Sequence, residues 1–468
     1  MRRLTVSGCL AMVYFTGVAS PAFIDFVRAL GAREVHIGWL GGLPLIMFGM
    51  QFLGAFITNR VPRRKGALVT LLIISRLVYV IVALVPWLTP GLNESSRMIL
   101  ILCLVGMSFA LMHLGSPLFF DWVADLVPKP VMSRYWGNRQ QWMFAAWVAS
   151  YAVVAIIAFA IEAPITTLAP IILLVACVAG VADLIVVMKV PEPGNTLVRK
   201  VHPLDVMMEP FRHPEYRHFI WYTCTRMLAI SMAVPFYLFY LLQELQMPLW
   251  QTVVVWSAIG IGTSVASPAA GRIVDRHGHR PVLIIAAYGK PIIALLFALV
   301  GPRSAFPVLL VWSFVDGVLN AGLLVATNGY MLTISPQRNR SMFVATITGL
   351  SGLAGGLAGL LTGKGLDMIS EFRADLFGRE WNHFQLMFFV CFLLRCAVIP
   401  FAFKVQEVKS TRTMALLHEF RGILPLQALR YPIGLYRKLP APVQDGVRRV
   451  RKSIRDVQNP PAKRHDSG

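Results

Sequence analysis

The chain is poor in charge: Asp, Glu, Lys and Arg together make up 14% of its 468 residues. A soluble domain carries about 25%, so a water-facing globular fold is excluded, and with it a free catalytic domain. Acids are scarcer still, 23 Asp and Glu against 44 Lys and Arg, for a formal net charge of +21. Cysteine is sparse. Cys9, Cys103, Cys177, Cys224, Cys391 and Cys396 include no CxxC pair and all fall inside apolar runs, so no disulfide framework is expected. No GxxxxGK[ST] phosphate loop and no cofactor fingerprint occur. The nearest approach to a metal set, His213, Glu215 and His218, lacks further ligands. An enzyme, a cofactor and a bound metal are therefore not expected.

Long apolar runs dominate instead. Hydrophobic residues make up 56% of the chain and the mean hydropathy is +0.63. Crossing a bilayer takes about 20 apolar residues per helix, and about twelve such runs can be drawn. They cover 4–29, 37–58, 66–88, 98–121, 140–161, 167–188, 218–242, 250–273, 282–301, 305–331, 341–363 and 382–404. Their continuous apolarity excludes a β-barrel, whose strands alternate polar and apolar over about ten residues. The opening "MRRLTVSGCLAMVYFTGVAS" is read as the first span and not as a secretory signal, because its apolar stretch continues to about Leu30. With the N-terminus in the cytoplasm, most Lys and Arg fall on cytoplasmic segments, which is the positive-inside pattern. The basic excess thus reports topology, and no nucleic-acid partner is expected. The reading is a multi-pass protein of the plasma (inner) membrane with both termini cytoplasmic.

Two halves look related. Asn59 and Arg60 open "NRVPRRKGALV" after run 2, and Asp275 and Arg276 open "DRHGHRPVLI" after run 8. Gly115 leads through run 4 to "SRYWG", as Gly322 leads through run 10 to "NRSMF". An even number of helices per half keeps both in one orientation, a parallel repeat. Domains are expected at 1–190 and 217–404, joined by a polar, Pro-containing linker at 191–216 and followed by a basic cytoplasmic tail at 405–468.

The stretch "GRIVDRHGHRP" places Gly271, Asp275, Arg276, Gly278 and Arg280 in a spacing that resembles the G-x-x-x-D-R-x-G-R-[RK] signature of the major facilitator superfamily. Physically, Gly271 allows close helix approach, Gly278 permits a left-handed turn, and Asp275 can accept from a nearby helix N-terminus or arginine. His279 replaces the usual arginine, and the first copy has Asn59 in place of aspartate, so a latch through Asn59 has to be a neutral hydrogen bond. The resemblance implies an all-α membrane fold of twelve transmembrane helices in two six-helix pseudo-repeats. It also implies a secondary transporter, and a central cavity lined by runs 1, 4, 7 and 10.

Polar residues on those four runs are the cavity candidates: Tyr14 and Asp25 on run 1, His113 and Ser116 on run 4, Tyr222, Arg226 and Tyr237 on run 7, Asp316 and Asn320 on run 10. An ionised group at a helix centre costs about 2.5–3.5 kcal/mol on the insertion scale, so each needs a partner or water. Deep bases outnumber deep acids: Arg76, Arg226, Lys290 and Arg395 stand against Asp316. Lys290 or Arg395 pairing with Asp316 is one outcome. The other is Asp316 or Asp25 as a proton-responsive coupling site, with Arg226 awaiting an anionic substrate. Gating candidates are Asp121 and Asp125 with Arg134 and Arg139, and Asp275 with Arg338 and Arg340. Run 11, "GLSGLAGGLAGLLTGKG", carries small residues four apart that suit sliding or tight packing. Val443, Val447, Val450, Ile454 and Val457 beside a run of bases read as an amphipathic helix on anionic lipid headgroups.

The expected partners are a small-molecule solute, protons as an optional coupling ion, and membrane lipid; the expected state is a monomer. Rivals are a non-transporting receptor or scaffold on the same fold and a membrane-embedded lipid-modifying enzyme, for which the pair Asp121 and Asp125 is the nearest catalytic cluster.

Overall fold

Proline and asparagine punctuate an almost wholly helical chain. In the computed structural model, residues 1–32, 34–160, 164–194, 203–376 and 379–407 are described. The amphipathic stretch at 443–457 lies outside them. α1 (Arg2–Val18) and α2 (Pro21–Ala29) are separated at Ser20, whose hydroxyl accepts from Phe23 N while Pro21 starts the new helix. α3 (Glu34–Ile46) contains Pro44 and passes through a tighter turn, Met47–Gly49, into α4 (Met50–Arg60). α5 (Arg64–Leu88) and α6 (Glu94–Leu126) follow, α6 capped by the Asn93 side chain. Then come α7 (Met132–Ala160) and α8 (Ile165–Met188).

The stretch read as a plain linker contains a helix, α9 (Pro203–Arg212). α10 (Pro214–Ser231) and α11 (Val234–Phe239) lead into a π-turn at Tyr240–Glu244. α12 (Leu249–His277) and α13 (His279–Leu299) meet at Gly278, whose φ of 91° a side chain would strain. α14 (Ala305–Ile334) and α15 (Arg340–Met368) come next. A hairpin of β1 (Arg373–Leu376) and β2 (Arg379–Asn382) ends in an Asn382 and Gln385 capping box. That box starts α16 (His383–Ala397), which is followed by α17 (Ile399–Lys404).

Among the described residues, ten helical segments are long and apolar enough to cross a membrane. The remaining two runs drawn from the sequence correspond to α7, whose first turns carry Arg134, Asn138, Arg139 and Gln140, and to the broken unit α10–α11. Large apolar side chains face outward all round, Val178 at 70% exposure and Leu361 at 69% among them. Contiguous apolar surface on this scale belongs against lipid. The protein is an all-α, multi-pass integral membrane protein.

The hydrophobic core forks. At the end carrying Met1, Asp121 and Lys404, one cluster joins both halves of the chain through Trp122, Trp136, Tyr216, Tyr330 and Phe343. Toward the opposite end it divides. One branch, with Phe26, Tyr79 and Leu173, draws only on the first half; the other, with Tyr237, Phe297 and Phe388, only on the second. Packing between the halves runs mainly along α7 with α12 and α4 with α15.

Candidate functional site

At the joined end, two seams hold the halves together, each built from a helix end and the helix facing it. In the first, Asp275 on α12 accepts from the backbone N–H groups of Ser133 and Arg134 at 3.1 and 3.0 Å. Those donors belong to the first turn of α7, which has no intrahelical acceptors for them, so a carboxylate there satisfies both geometry and dipole. Gly271, one turn before Asp275, makes this approach possible. A Cβ on it would lie 2.6 Å from the Ser133 carbonyl oxygen, and one on Gly137 would run into that of Ser267.

The second seam places Asn59 on α4 against the start of α15. Its Nδ2 donates to Asn339 Oδ1 at 2.6 Å, and its Oδ1 accepts from the Ser341 hydroxyl at 2.7 Å. Asn339 sits at a left-handed φ of 65°, a conformation asparagine tolerates. Its own Nδ2 also donates to Glu209 Oε2 at 2.6 Å, which ties α9 to the seam. A neutral bond therefore stands where the second half uses a carboxylate.

Beside this seam lies a four-member ionic cluster. Arg64 at the start of α5 donates through Nη1 to Asp121 Oδ2 at 2.6 Å and Asp125 Oδ2 at 2.7 Å. Arg340, from the other half, reaches Asp125 Oδ1 at 2.7 Å and Asp121 Oδ1 at 3.6 Å. Both arginine side chains are almost fully buried. Arg340, grouped with Asp275 in the sequence reading, meets Asp121 and Asp125 instead, and Arg64 supplies the second cation in the place expected for Arg134 or Arg139. The side chains of Arg134 and Arg338 are exposed, as is Arg60, while Arg139 is buried over the Phe119 and Trp136 rings. Nothing in the sequence pattern distinguished Arg64 from its neighbours Arg63 and Lys65. Arg276 is exposed, and Arg280 donates to the Phe403 carbonyl at 3.0 Å.

The turn at Gly278 is closed from behind by Glu407. Its carboxylate accepts from His279 N and Arg280 N and meets His279 Nδ1 at 2.6 Å, and His279 Nε2 in turn lies 3.3 Å from the Ser133 hydroxyl. Burial pushes the Glu407 carboxyl up, but the His279 hydrogen bond and charge and the two backbone donors outweigh it, so the net shift is downward.

Midway along the molecule the candidates separate into three places. Between the halves, Gln51 Nε2 lies 3.3 Å from His113 Nδ1, and Gln51 Oε1 accepts from Thr348 on α15. The Phe48 ring stands 4.3 Å from the His113 ring. Inside the first bundle, Tyr14 lies under Arg76, 3.9 Å from guanidinium to ring centre, and Arg76 approaches Asp183 at 3.9 Å. Inside the second, Lys290 pairs with Asp316 at 2.8 Å, and Arg395 donates to Tyr237 Oη at 3.0 Å. Tyr222 and Arg226 line a small cavity with Lys290 and Arg395. Asp25 is exposed, and Ser116 and Asn320 are partly so. Among the described residues no group of three or more His, Cys, Asp and Glu side chains is arranged to hold a metal ion.

Comparisons with known proteins follow the same outline. A crystal structure of a bacterial homologue of the iron transporter ferroportin in its outward-facing state superposes with a TM-score of 0.64 at 15% identity, covering 86% of this chain and 98% of that one. The human organic anion transporter MFSD10 gives 0.63 at 15% identity over the same shares. The proton:xylose symporter XylE gives 0.65 at 16%, covering 89% and 98%. In sequence, the multidrug resistance protein MdtG of Dickeya zeae (strain Ech586) is 29% identical over 215 residues, 44% of this chain and 48% of that protein. The match thus spans about half of that relative's length. The Major Facilitator Superfamily model matches residues 5–361 and 226–438. Matched along most of its length by that sequence model, the chain belongs to the Major Facilitator Superfamily.

Proposed function

We propose that the protein is a secondary active transporter that moves a small solute by alternating access between two six-helix halves, 1–190 and 217–404. On this reading there are twelve spans: α1–α2, α3–α4, α5, α6, α7 and α8 in the first half, then α10–α11, α12, α13, α14, α15 and α16–α17 in the second. Both ends of the chain lie in the cytoplasm, the halves are joined at the cytoplasmic side, and the solute enters the fork from outside. The forked core is the observation that carries the reading. A bundle with one shared core at one end and two private cores at the other can exchange which end is joined by rocking its halves as rigid bodies.

The contacts that must break in that motion are the seams: Asp275 with the first turn of α7, Asn59 with Asn339 and Ser341, and Arg340 with Asp121 and Asp125. These are polar contacts, directional and few, which suits an interface remade in each cycle. Gly352 and Gly356 on α15 meet Phe48 and Leu45 across the halves, and small residues there let the backbones slide. The protein works as a monomer, and its basic tail rests on anionic headgroups. Asp316, paired with Lys290 at 2.8 Å, is read as a structural partner and not as a proton carrier.

Uptake into proteoliposomes tests the reading. The solute panel includes lipophilic cations, on the strength of the multidrug relative, together with organic anions and sugars, on that of the structural relatives. Saturable flux of one class, driven by a proton gradient or by counterflow, is expected. Ligand binding without flux under either condition assigns the protein to a receptor role instead. Loss of proton-driven uptake with intact counterflow in Asp316→Asn returns Asp316 to the coupling site.

A further inference from the structure

Among the described residues, the interior of the second half holds three cations, Arg226, Lys290 and Arg395, against one carboxylate, Asp316. Lys290 pairs with Asp316. Arg395 donates to two neutral acceptors, the Tyr237 hydroxyl at 3.0 Å and the Lys290 carbonyl at 3.1 Å. Arg226 pairs with no acid among the described residues. Its Nε, and the hydroxyl of Tyr222 one turn before it, are buried with no hydrogen-bond partner. Arg395 Nε is in the same condition.

These groups surround a cavity. Tyr222 and Arg226 from α10, Ala286, Ala287 and Lys290 from α13 and Arg395 from α16 line a space of about 20 Å³. That is room for one water-sized body, and too little for an organic solute. Asp316 is not in its wall. Water would serve the unpaired donors but leave two positive charges uncompensated where ionised groups cost several kcal/mol each. A small anion answers both deficits.

We propose that this cavity is a binding site for a halide-sized inorganic anion, held by Arg226, Lys290 and Arg395 with the Tyr222 hydroxyl as a neutral donor. Arg226 and Tyr222 contribute the donors that lack partners, and Ala286 and Ala287 set the size limit. The anion is a resident of the second bundle and not the solute, so the site does not depend on which compound is carried. It lies between α10, α13 and α16 and stiffens the contact among them when filled.

The test uses the full chain in nanodiscs, in sodium gluconate, titrated with sodium chloride or bromide at constant ionic strength while thermal unfolding is followed. A ligand that binds only the folded state raises the apparent Tm saturably. Chloride and bromide are expected to do so and added gluconate is not. Arg226→Gln is expected to abolish the saturable part. Ala287→Leu fills the cavity without touching a charge and is expected to raise the half-saturating halide concentration tenfold or more. No halide-specific rise in the wild type overturns the proposal, as does an unchanged rise in Ala287→Leu, which decides the matter even if Arg226→Gln does not fold. A rise with acetate and none with chloride also overturns it and assigns the cations to a carboxylate.

Discussion

Glu192 and Glu407 cap corresponding helices in the two halves. Glu192, just after α8, accepts from Lys65 N at the start of α5 at 2.7 Å, and Glu407, just after α17, accepts from His279 N and Arg280 N at the start of α13 at 2.7 and 2.8 Å. The same number of residues separates Glu192 from Glu407 as separates Lys65 from Arg280. In both cases a carboxylate just beyond one helix meets the positive end of another, α5 for Glu192 and α13 for Glu407. The two turns thus correspond down to single hydrogen bonds.

Glu407 makes stability at that turn depend on pH. Its carboxyl is held below its ordinary value, so its contribution is complete above the unfolded glutamate value of about 4.3 and is lost as the pH falls through the lower folded value. Glu407→Gln is expected to cost about 1 kcal/mol at pH 7 and to flatten the fall in Tm between neutral and acid pH. Melting curves across that range check it. An equally steep fall in the variant rules Glu407 out as its source.

Removing Arg340 leaves Asp121 and Asp125 with Arg64 as their cation and cuts an ionic contact between the halves. Breaking one partner of a buried pair costs about 3–5 kcal/mol, and part of that is expected to appear as opening of the joined end. Spin labels at the exposed positions Arg60 and Arg338 should report a longer, broader distance in Arg340→Gln than in the parent. An unchanged distribution means that the cluster does not hold this end shut.

Gly137 and Gly271 face each other's helices where α7 crosses α12, with neighbouring backbone in the place of any Cβ. Gly137→Ala is expected to push the helices apart and lower stability by about 1–3 kcal/mol. Gly66, with open space around its Cβ position, should accept alanine without loss. Unfolding of the two variants side by side separates crowding from helix propensity, since alanine is the better helix former at either site.

Asp316→Asn leaves Lys290, Arg395 and Arg226 without an acid among them. The expected loss is about 3–5 kcal/mol, and adding Lys290→Met should restore most of it because the pair then disappears together. Additive losses in the double variant would mean that the 2.8 Å contact is not coupled energetically.

Composition and period were enough for the outline of this protein. Apolar runs of bilayer length require helices, because an unpaired backbone group in hydrocarbon is too costly, and the spacing from Gly271 to Arg280 located the turn where the halves meet. Asn59 could also be read in advance, since an amide can latch only through a neutral bond. The two runs with weakest apolarity, α7 and α10–α11, show the limit of that signal: one begins in a polar segment that packs on the other half, and the other is broken at Met232 and Ala233.

Partners were another matter. Arg64 stands in a row of bases, and only the crossing of α5, α6 and α15 selects it over Arg63 and Lys65 to bridge two acids. The helix at 203–212 is polar in sequence and becomes structural because Val206 meets Ala55, Met342 and Ala345 while Glu209 accepts from Asn339. Tyr14, on a run expected to line the cavity, turns into its own bundle because Arg76 offers a cation above its ring. Local sequence fixes which residues enter the membrane, since burial in lipid is a property of each segment alone. Which charge meets which depends on distances between segments far apart in the chain, and those are set only when the helices pack.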